Sequence, residues 1–325
     1  MKKLIFLILL VAAIACRKTV QNDQQTTHPY WIKVPANFPA LPADIQLTEE
    51  AVALGRHLYY DTLLSAGGPH AGQSCSSCHL QDKGFTLPGQ AVLAHCNLAW
   101  SRRFLWKGDV EGNMDSIMRF EVEHFFQTDI THLKKSEKCQ SMFEKAYGKN
   151  AINSYNTANA LGQFISTLVS GNSVYDQYLN KQVNLSPSAL RGMNIFFSEK
   201  GDCFHCHTDG LFTDNDYHNN GLKSKNYSDM GRYLLTGNSA DIGKFKTPGL
   251  RNTALRGAYM HDGRFKTLEE VVRHYNSGIQ HTEYLDPLLD KPGLGLTEQE
   301  IQDLVHFLET LNDSTFLYNT QFSKP

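Results

Sequence analysis

The chain has 325 residues, with 31 basic and 33 acidic side chains, 41% hydrophobic residues and 20% charged. That is enough chain for two ordinary cores. A formal net charge of −2, with neither a basic run nor an acidic tail, excludes the electrostatic footprint of a nucleic-acid binder.

Residues 1–15 read as an export signal: Lys2 and Lys3 precede a short apolar run that is too short for a comfortable membrane span. Ala13-Ile14-Ala15-Cys16 has the form of a lipoprotein cleavage box, with Cys16 as the lipidated N-terminus. The alternative is a plain signal peptide followed by a chance cysteine. Residues 16–47 are a polar tether followed by an extended wrap rich in proline (Pro35, Pro39, Pro42).

Thr48, with Glu49 and Glu50 behind it, predicts a helix through Tyr60. Gly67, Gly68 and Pro69 break the chain before Cys75-Ser-Ser-Cys78-His79. Beyond a Gly/Pro loop lie Trp100 and Trp106, then a helical apolar pattern over residues 114–126. Further amphipathic helices are predicted over 139–147 and 157–169. Ser186-Pro187 starts another, which leads into Cys203-Phe-His-Cys206-His207. Residues 211–247 are mostly loop, and the capping boxes Thr267/Glu270 and Thr297/Glu300 start helices over 268–276 and through Leu311.

C-x-x-C-H is the covalent attachment signal of a c-type haem: two thiols add to the two vinyl groups of one porphyrin, and the adjacent imidazole binds the iron. Composition alone gives roughly 0.006 copies by chance, so two copies are meaningful. Zinc is the rival for paired cysteines, but each pair carries its own trailing histidine, and 128 positions separate them. The predicted cofactors are two c-type haems, attached through Cys75 and Cys78 and through Cys203 and Cys206, with His79 and His207 as iron ligands. Haem of this type is attached outside the cytoplasm, in agreement with the export signal. Of the seven cysteines, Cys96 and Cys139 remain, either as a disulfide or as two separate buried thiols.

An internal repeat accompanies the motifs. Gly55 to Tyr60 echoes Gly192 to Phe197, each ahead of a haem motif, and Leu161 to Leu168 echoes Leu304 to Leu311, each closing a half. Helix, haem motif, loop and closing helix is the plan of a small cytochrome c, run twice. The expected fold is mainly α, with cytochrome-c-like domains at 48–183 and 184–325.

The chain resembles the bacterial di-haem cytochrome c peroxidase superfamily, including the MauG-type methylamine-utilisation enzymes. The resemblance rests on both haem motifs, Phe104-Leu-Trp-Lys-Gly108, Leu211-Phe-Thr-Asp214, Thr247-Pro-Gly-Leu-Arg-Asn252, Tyr259-Met-His-Asp-Gly-Arg-Phe265 and the segment Thr267 to Tyr275. It implies haems facing each other across the domain interface, the N-terminal one meeting hydrogen peroxide and the C-terminal one taking electrons from a small cytochrome or cupredoxin. It places Tyr275 where peroxidases carry a methionine ligand and MauG-type members a tyrosine, with Met260 the other candidate. Trp106 matches the tryptophan between the haems, and Trp100 is its runner-up.

The family's acid–base carboxylate falls by count on Gln127, an amide that cannot shuttle protons, which leaves Glu121, Glu123 and His124 as substitutes. His95 stands at the offset of a histidine that caps the resting haem in some peroxidases. The chain lacks the R-N-x-P segment that holds an interdomain calcium, so a calcium would rest on the carbonyls of Arg256 and Ala258. Three readings follow: a peroxidase reducing hydrogen peroxide to water, a MauG-type oxidase of a protein or small molecule, or a membrane-tethered electron carrier without catalysis. Family members are often dimers.

Overall fold

In the computed structural model the described residues are 26–222 and 229–325. The predicted signal, Cys16 and most of the tether lie outside them. Among the described residues no helix is long and apolar enough to cross a membrane.

The first half begins with β1 (Pro29–Tyr30), antiparallel to β2 (Leu47–Thr48), which ties the extended wrap to the start of α1 (Glu49–Tyr60). Thr48 caps α1 through its side chain, as its position predicted. The haem motif forms a single turn, α2 (Cys75–Cys78). A hairpin of β3 (Arg103–Phe104) and β4 (Val110–Glu111) follows, then α3 (Met114–Phe120), α4 (Ile130–Lys135), α5 (Glu137–Tyr147) and α6 (Ser154–Ser166). The pattern expected to give one helix over 114–126 instead gives α3 and a π-helical segment, Glu121–Phe125. Helices α5 and α6 start earlier than predicted because Ser136 and Asn153 cap them through their side chains.

The second half comprises α7 (Val174–Leu179), α8 (Pro187–Phe196), β5 (Tyr217–His218), α9 (Tyr233–Thr236), β6 (Phe245–Lys246), α10 (Leu268–Arg273), α11 (Glu298–Glu309) and α12 (Ser314–Leu317). Strands β5 and β6 pair with Tyr217 opposite Lys246. Helix α10 also passes into a π-helical segment, His274–Gly278.

The echoed glycines sit at matching helix crossings. A Cβ on Gly55 would stand 1.9 Å from the Ala160 carbonyl oxygen of α6, and one on Gly192 would stand 1.9 Å from the Asp303 oxygen of α11. Each glycine lets the helix ahead of a haem motif lie against the helix that closes its half.

The apolar side chains gather into two main cores. One runs from Leu47 to Leu168 in sequence and the other from Tyr175 to Leu311. Two features depart from a division at 183/184. Tyr175 of α7 packs in the second core, and Phe316, Leu317 and Phe322 of the C-terminal tail return to the first. Arg56 donates to the Ser323 and Thr320 carbonyls, and Tyr60 to that of Phe322, so the tail is clasped onto α1. At the junction Arg251 and Asp176, both buried, form a bidentate pair at 2.7 and 2.9 Å. The wrap adds Phe38, packed edge-on against Trp100.

The disulfide alternative does not hold: Cys96 and Cys139 are free thiols. Cys96 neighbours Asn252 at the junction, whereas Cys139 lies buried in the first core.

Candidate haem sites and the cavity between the halves

Both haem motifs hold their histidine in the same way. His79 Nδ1 lies 3.0 Å from the Phe85 carbonyl oxygen, and His207 Nδ1 lies 2.9 Å from that of Phe212. A carbonyl can only accept, so each Nδ1 carries the proton and each Nε2 keeps its lone pair for iron. Phe85 and Phe212 are fully buried and adopt left-handed backbone conformations, with φ of 57° and 55°. That turn aims the carbonyl back at the ring. Burial pushes both imidazoles down to about 4, which keeps them in the neutral form that ligates.

Between the halves lies a cavity of about 530 Å³, within the ordinary range of cofactor pockets. Cys75, Cys78 and His79 line it from one side, and Leu211, Thr213 and Pro248 from the other. Of the five cations in its wall, Lys246 and Arg256 form no salt bridge among the described residues. Lys246 is buried, its ammonium donating to the Thr247 carbonyl, and burial lowers it to about 8. Arg256 is buried with one bond, to the Gly249 carbonyl, while its Nε has no hydrogen-bond partner. Buried cations call for anions, and the carboxylates of a haem fit that requirement. The thiols, the bare Nε2, the cavity and the two cations together suit a c-type haem.

Trp106 lines this cavity and donates to the Ala91 carbonyl at 2.8 Å, while its own carbonyl accepts from Lys246 N–H of the second half. It therefore sits where the halves meet. Trp100 does not line the cavity: it donates to the Pro39 carbonyl and packs on Phe38.

The distal candidates separate clearly. Glu121 opens the π-helical segment and lines the cavity, and burial raises its carboxyl to about 7. No cation among the described residues pairs with it. Glu123 is exposed and lies 3.6 Å from Arg119. His124 is exposed beside Phe120. Gln127, where counting along the sequence put the acid–base group, is exposed at φ 50° and is not among the cavity's lining residues.

His95 lines the same cavity as His79. The two rings stack face to face, with centroids 3.5 Å apart and planes 14° apart, and His95 Nδ1 is 3.2 Å from the Tyr59 hydroxyl. The shortened loop carries it there, with its backbone N–H bonded to the Phe85 carbonyl.

In the second half, Tyr275 and Met260 converge on one amide. Asn220 Nδ2 is 3.3 Å from the Tyr275 hydroxyl and 3.4 Å from Met260 Sδ. Burial pushes the phenol up to about 12, while the Asn220 bond and the nearness of Cys203 and Cys206 tie it to the second haem motif. The calcium expectation finds no support in the donor set. The Arg256 carbonyl accepts from Gly89 N–H, a buried guanidinium adjoins it, and none of the acid, thiol and histidine clusters among the described residues includes this corner.

Asn220, Lys246 and the two phenylalanine carbonyls were not anticipated from the sequence. The last had a signal: a Phe-Thr pair follows each motif, at Phe85-Thr86 and Phe212-Thr213.

Comparison with known proteins agrees with this geometry. The family described as di-haem cytochrome c peroxidase matches residues 49–184. The methylamine utilization protein MauG of Methylophilus methylotrophus is 31% identical, over 86% of this chain and 87% of its own length. The cytochrome c551 peroxidase of Nitrosomonas europaea is 28% identical, over 85% and 84%. A solved MauG-like protein associated with microbial copper homeostasis superposes with a TM-score of 0.82 at 27% identity, covering 91% of this chain and 99% of its own. On the two haem motifs, the paired helical halves and these relatives, the chain belongs to the di-haem cytochrome c peroxidase and MauG family.

Proposed function

We propose that the protein is an exported di-haem peroxidase that reduces hydrogen peroxide to two waters, taking two electrons from a small redox protein and two protons from solvent. The observation that carries this reading is Glu121: a carboxyl held near neutrality by burial, in the cavity that also holds Cys75, Cys78 and His79. The haem iron, when bound, supplies the electrons that break the O–O bond. Glu121 takes the proton from the nearer peroxide oxygen and delivers it to the departing one, which leaves as water. Phe104, Phe126 and Met118 give that part of the cavity an apolar lining, which keeps the carboxyl from being stabilised as an anion. Trp106 bridges the halves on the electron's route. His79 and His207 hold the irons through Nε2, with Nδ1 fixed by Phe85 and Phe212.

The 1–15 signal and Cys16 support an extracytoplasmic, lipid-anchored protein. A domain division between the two cores, with the tail assigned to the first, fits the packing better than a cut at 183/184.

A second reading has its own support. Tyr275, near the second haem motif with Asn220 donating to its hydroxyl, offers an oxygen ligand that as a phenolate would favour a high-valent, MauG-type oxidase; burial keeps the free phenol protonated, so binding to iron would have to release that proton. Glu121 in the cavity supports the enzyme readings over the carrier, which rested on Gln127.

The test is peroxide titration of the haem-loaded protein, fully oxidised and half-reduced, followed by optical and EPR spectroscopy alongside turnover of a reduced cytochrome c. Rapid reaction at one haem with catalytic turnover establishes the peroxidase. Reaction without turnover, together with oxidation of a partner, establishes the oxidase. Two unreactive low-spin haems in both redox states overturn both.

A further inference from the structure

Away from both haem motifs, helices α1 and α5 bring together an imidazole, a carboxylate and a thiol. His57 and Asp61 are one helical turn apart, and Cys139 faces them from α5. One ligand-type atom from each lies within 4.8 Å of the other two. None of the three lines the haem cavity.

Two details set this cluster apart from an ordinary ion pair. His57 Nε2 is buried and 3.2 Å from Asp61 Oδ2, yet it makes no hydrogen bond. The two atoms are close without being aimed at one another, the arrangement of donors around a common third point. The outer partners are also in place. Asp61 Oδ1 accepts from Leu63 N–H, which orients the carboxylate. Burial holds the Cys139 thiol protonated, with Asp61 adding to that, while Ser136, the cap of α5, and Lys138 pull toward the thiolate. Burial and Lys138 hold His57 toward the neutral form, against the pull of Asp61.

We propose that His57, Asp61 and Cys139 form a binding site for a divalent cation of borderline softness, zinc being the type case. Nitrogen, oxygen and sulfur donors in a three-residue set suit a tetrahedral ion whose fourth position is open to water. Binding forms the metal–sulfur bond and releases the Cys139 thiol proton to solvent. One thiolate and one carboxylate then neutralise the ion's two positive charges. The ion ties α1, which leads into the first haem motif, to α5.

The experiment uses the haem-loaded full chain, stripped with a chelator and dialysed against buffered micromolar zinc. Metal analysis is expected to give about one zinc for every two irons, and zinc-edge X-ray absorption one sulfur at about 2.3 Å. Cys139→Ser and His57→Gln abolish that zinc, whereas Cys96→Ser retains it. Asp61→Asn, which keeps the oxygen that caps Leu63, weakens affinity at least tenfold. Affinity in the parent chain rises with pH as the thiol proton is lost. No zinc retained, a sulfur-free zinc environment, or zinc retained by Cys139→Ser overturns the proposal, and each variant's folding is read independently from its intact haem spectra.

Discussion

In the proposed mechanism Glu121 serves as both base and acid, a role that follows from where it stands. Its neighbours are apolar and no cation among the described residues pairs with it, so burial alone raises the carboxyl to about 7. The base form, which accepts the first proton, grows as pH rises through that value. The expected result is a kcat/KM for peroxide that climbs through about pH 7, and a Glu121→Gln variant that is slower by ~10²–10⁴-fold and lacks the inflection. An unchanged pH profile in that variant would give the proton transfer to another group. The cysteines and histidines of both haem sites were legible because covalent attachment fixes their spacing to the residue. Glu121 was legible only as one of three substitutes, because the residue count fell on Gln127 and nothing in the sequence shows which neighbouring side chain faces the cavity. Tyr275 was placed by the resemblance, and its contact with Asn220 came only from the structure. Replacing it by methionine exchanges a hard oxygen donor for a thioether. The second haem's potential should then rise by on the order of 0.1 V, within the ~0.8 V that axial ligands command. An unchanged potential in Tyr275→Met would instead assign Met260 as the ligand.

At the scale of elements, the two halves repeat more than their motifs. In each, a short α-helix passes into a π-helical segment, and that segment carries the group proposed to act at the haem: Glu121 after α3 and Tyr275 after α10. A π turn widens the helix by one residue and re-aims a side chain that the regular pitch would direct elsewhere, which is why such turns gather at functional sites. The helix–glycine–helix crossings were visible in the sequence as echoes, since a close backbone approach admits no side chain and leaves a glycine at a fixed place. The π segments left no such mark, because their residues are ordinary helix residues. The crossings make a testable pair. Gly192→Ala drives a methyl to 1.9 Å from the Asp303 oxygen, and Gly55→Ala does the same at Ala160. Each should destabilise the protein by at least ~1–3 kcal/mol, read from the denaturant midpoint. Each should also loosen the haem motif that follows its own helix and leave the other haem's spectrum as it was. Equal disturbance of both haems by either variant would show that the halves do not respond separately.

At the scale of the whole molecule, the chain's last residues complete its first haem site. The sequence divided the chain into two successive halves, because periodicity and motif order describe neighbours along the chain. It could not show that residues 313–325 leave the second half and pack on the first. Asp313 caps α12 and also accepts from Ser170, Gly171 and Asn172, fastening the tail to the junction between the halves. Phe316 then packs against Phe85 with ring centroids 5.2 Å apart, and Phe322 adds a second contact at 6.4 Å. Phe85 is the residue whose carbonyl holds His79 Nδ1. Its left-handed backbone carries a steric cost, and the packing of its ring by the tail offsets that cost. Phe316→Ala should therefore act twice. Losing a buried ring costs ~3–5 kcal/mol of stability. Freeing Phe85 weakens the bond to His79, so the iron–histidine stretch of the first haem, read by resonance Raman, shifts to lower frequency while the second haem keeps its own. A stability loss with both haem signatures intact would make the tail a packing element alone. A shift confined to the first haem would show that residues 313–325 help to set that iron through Phe85.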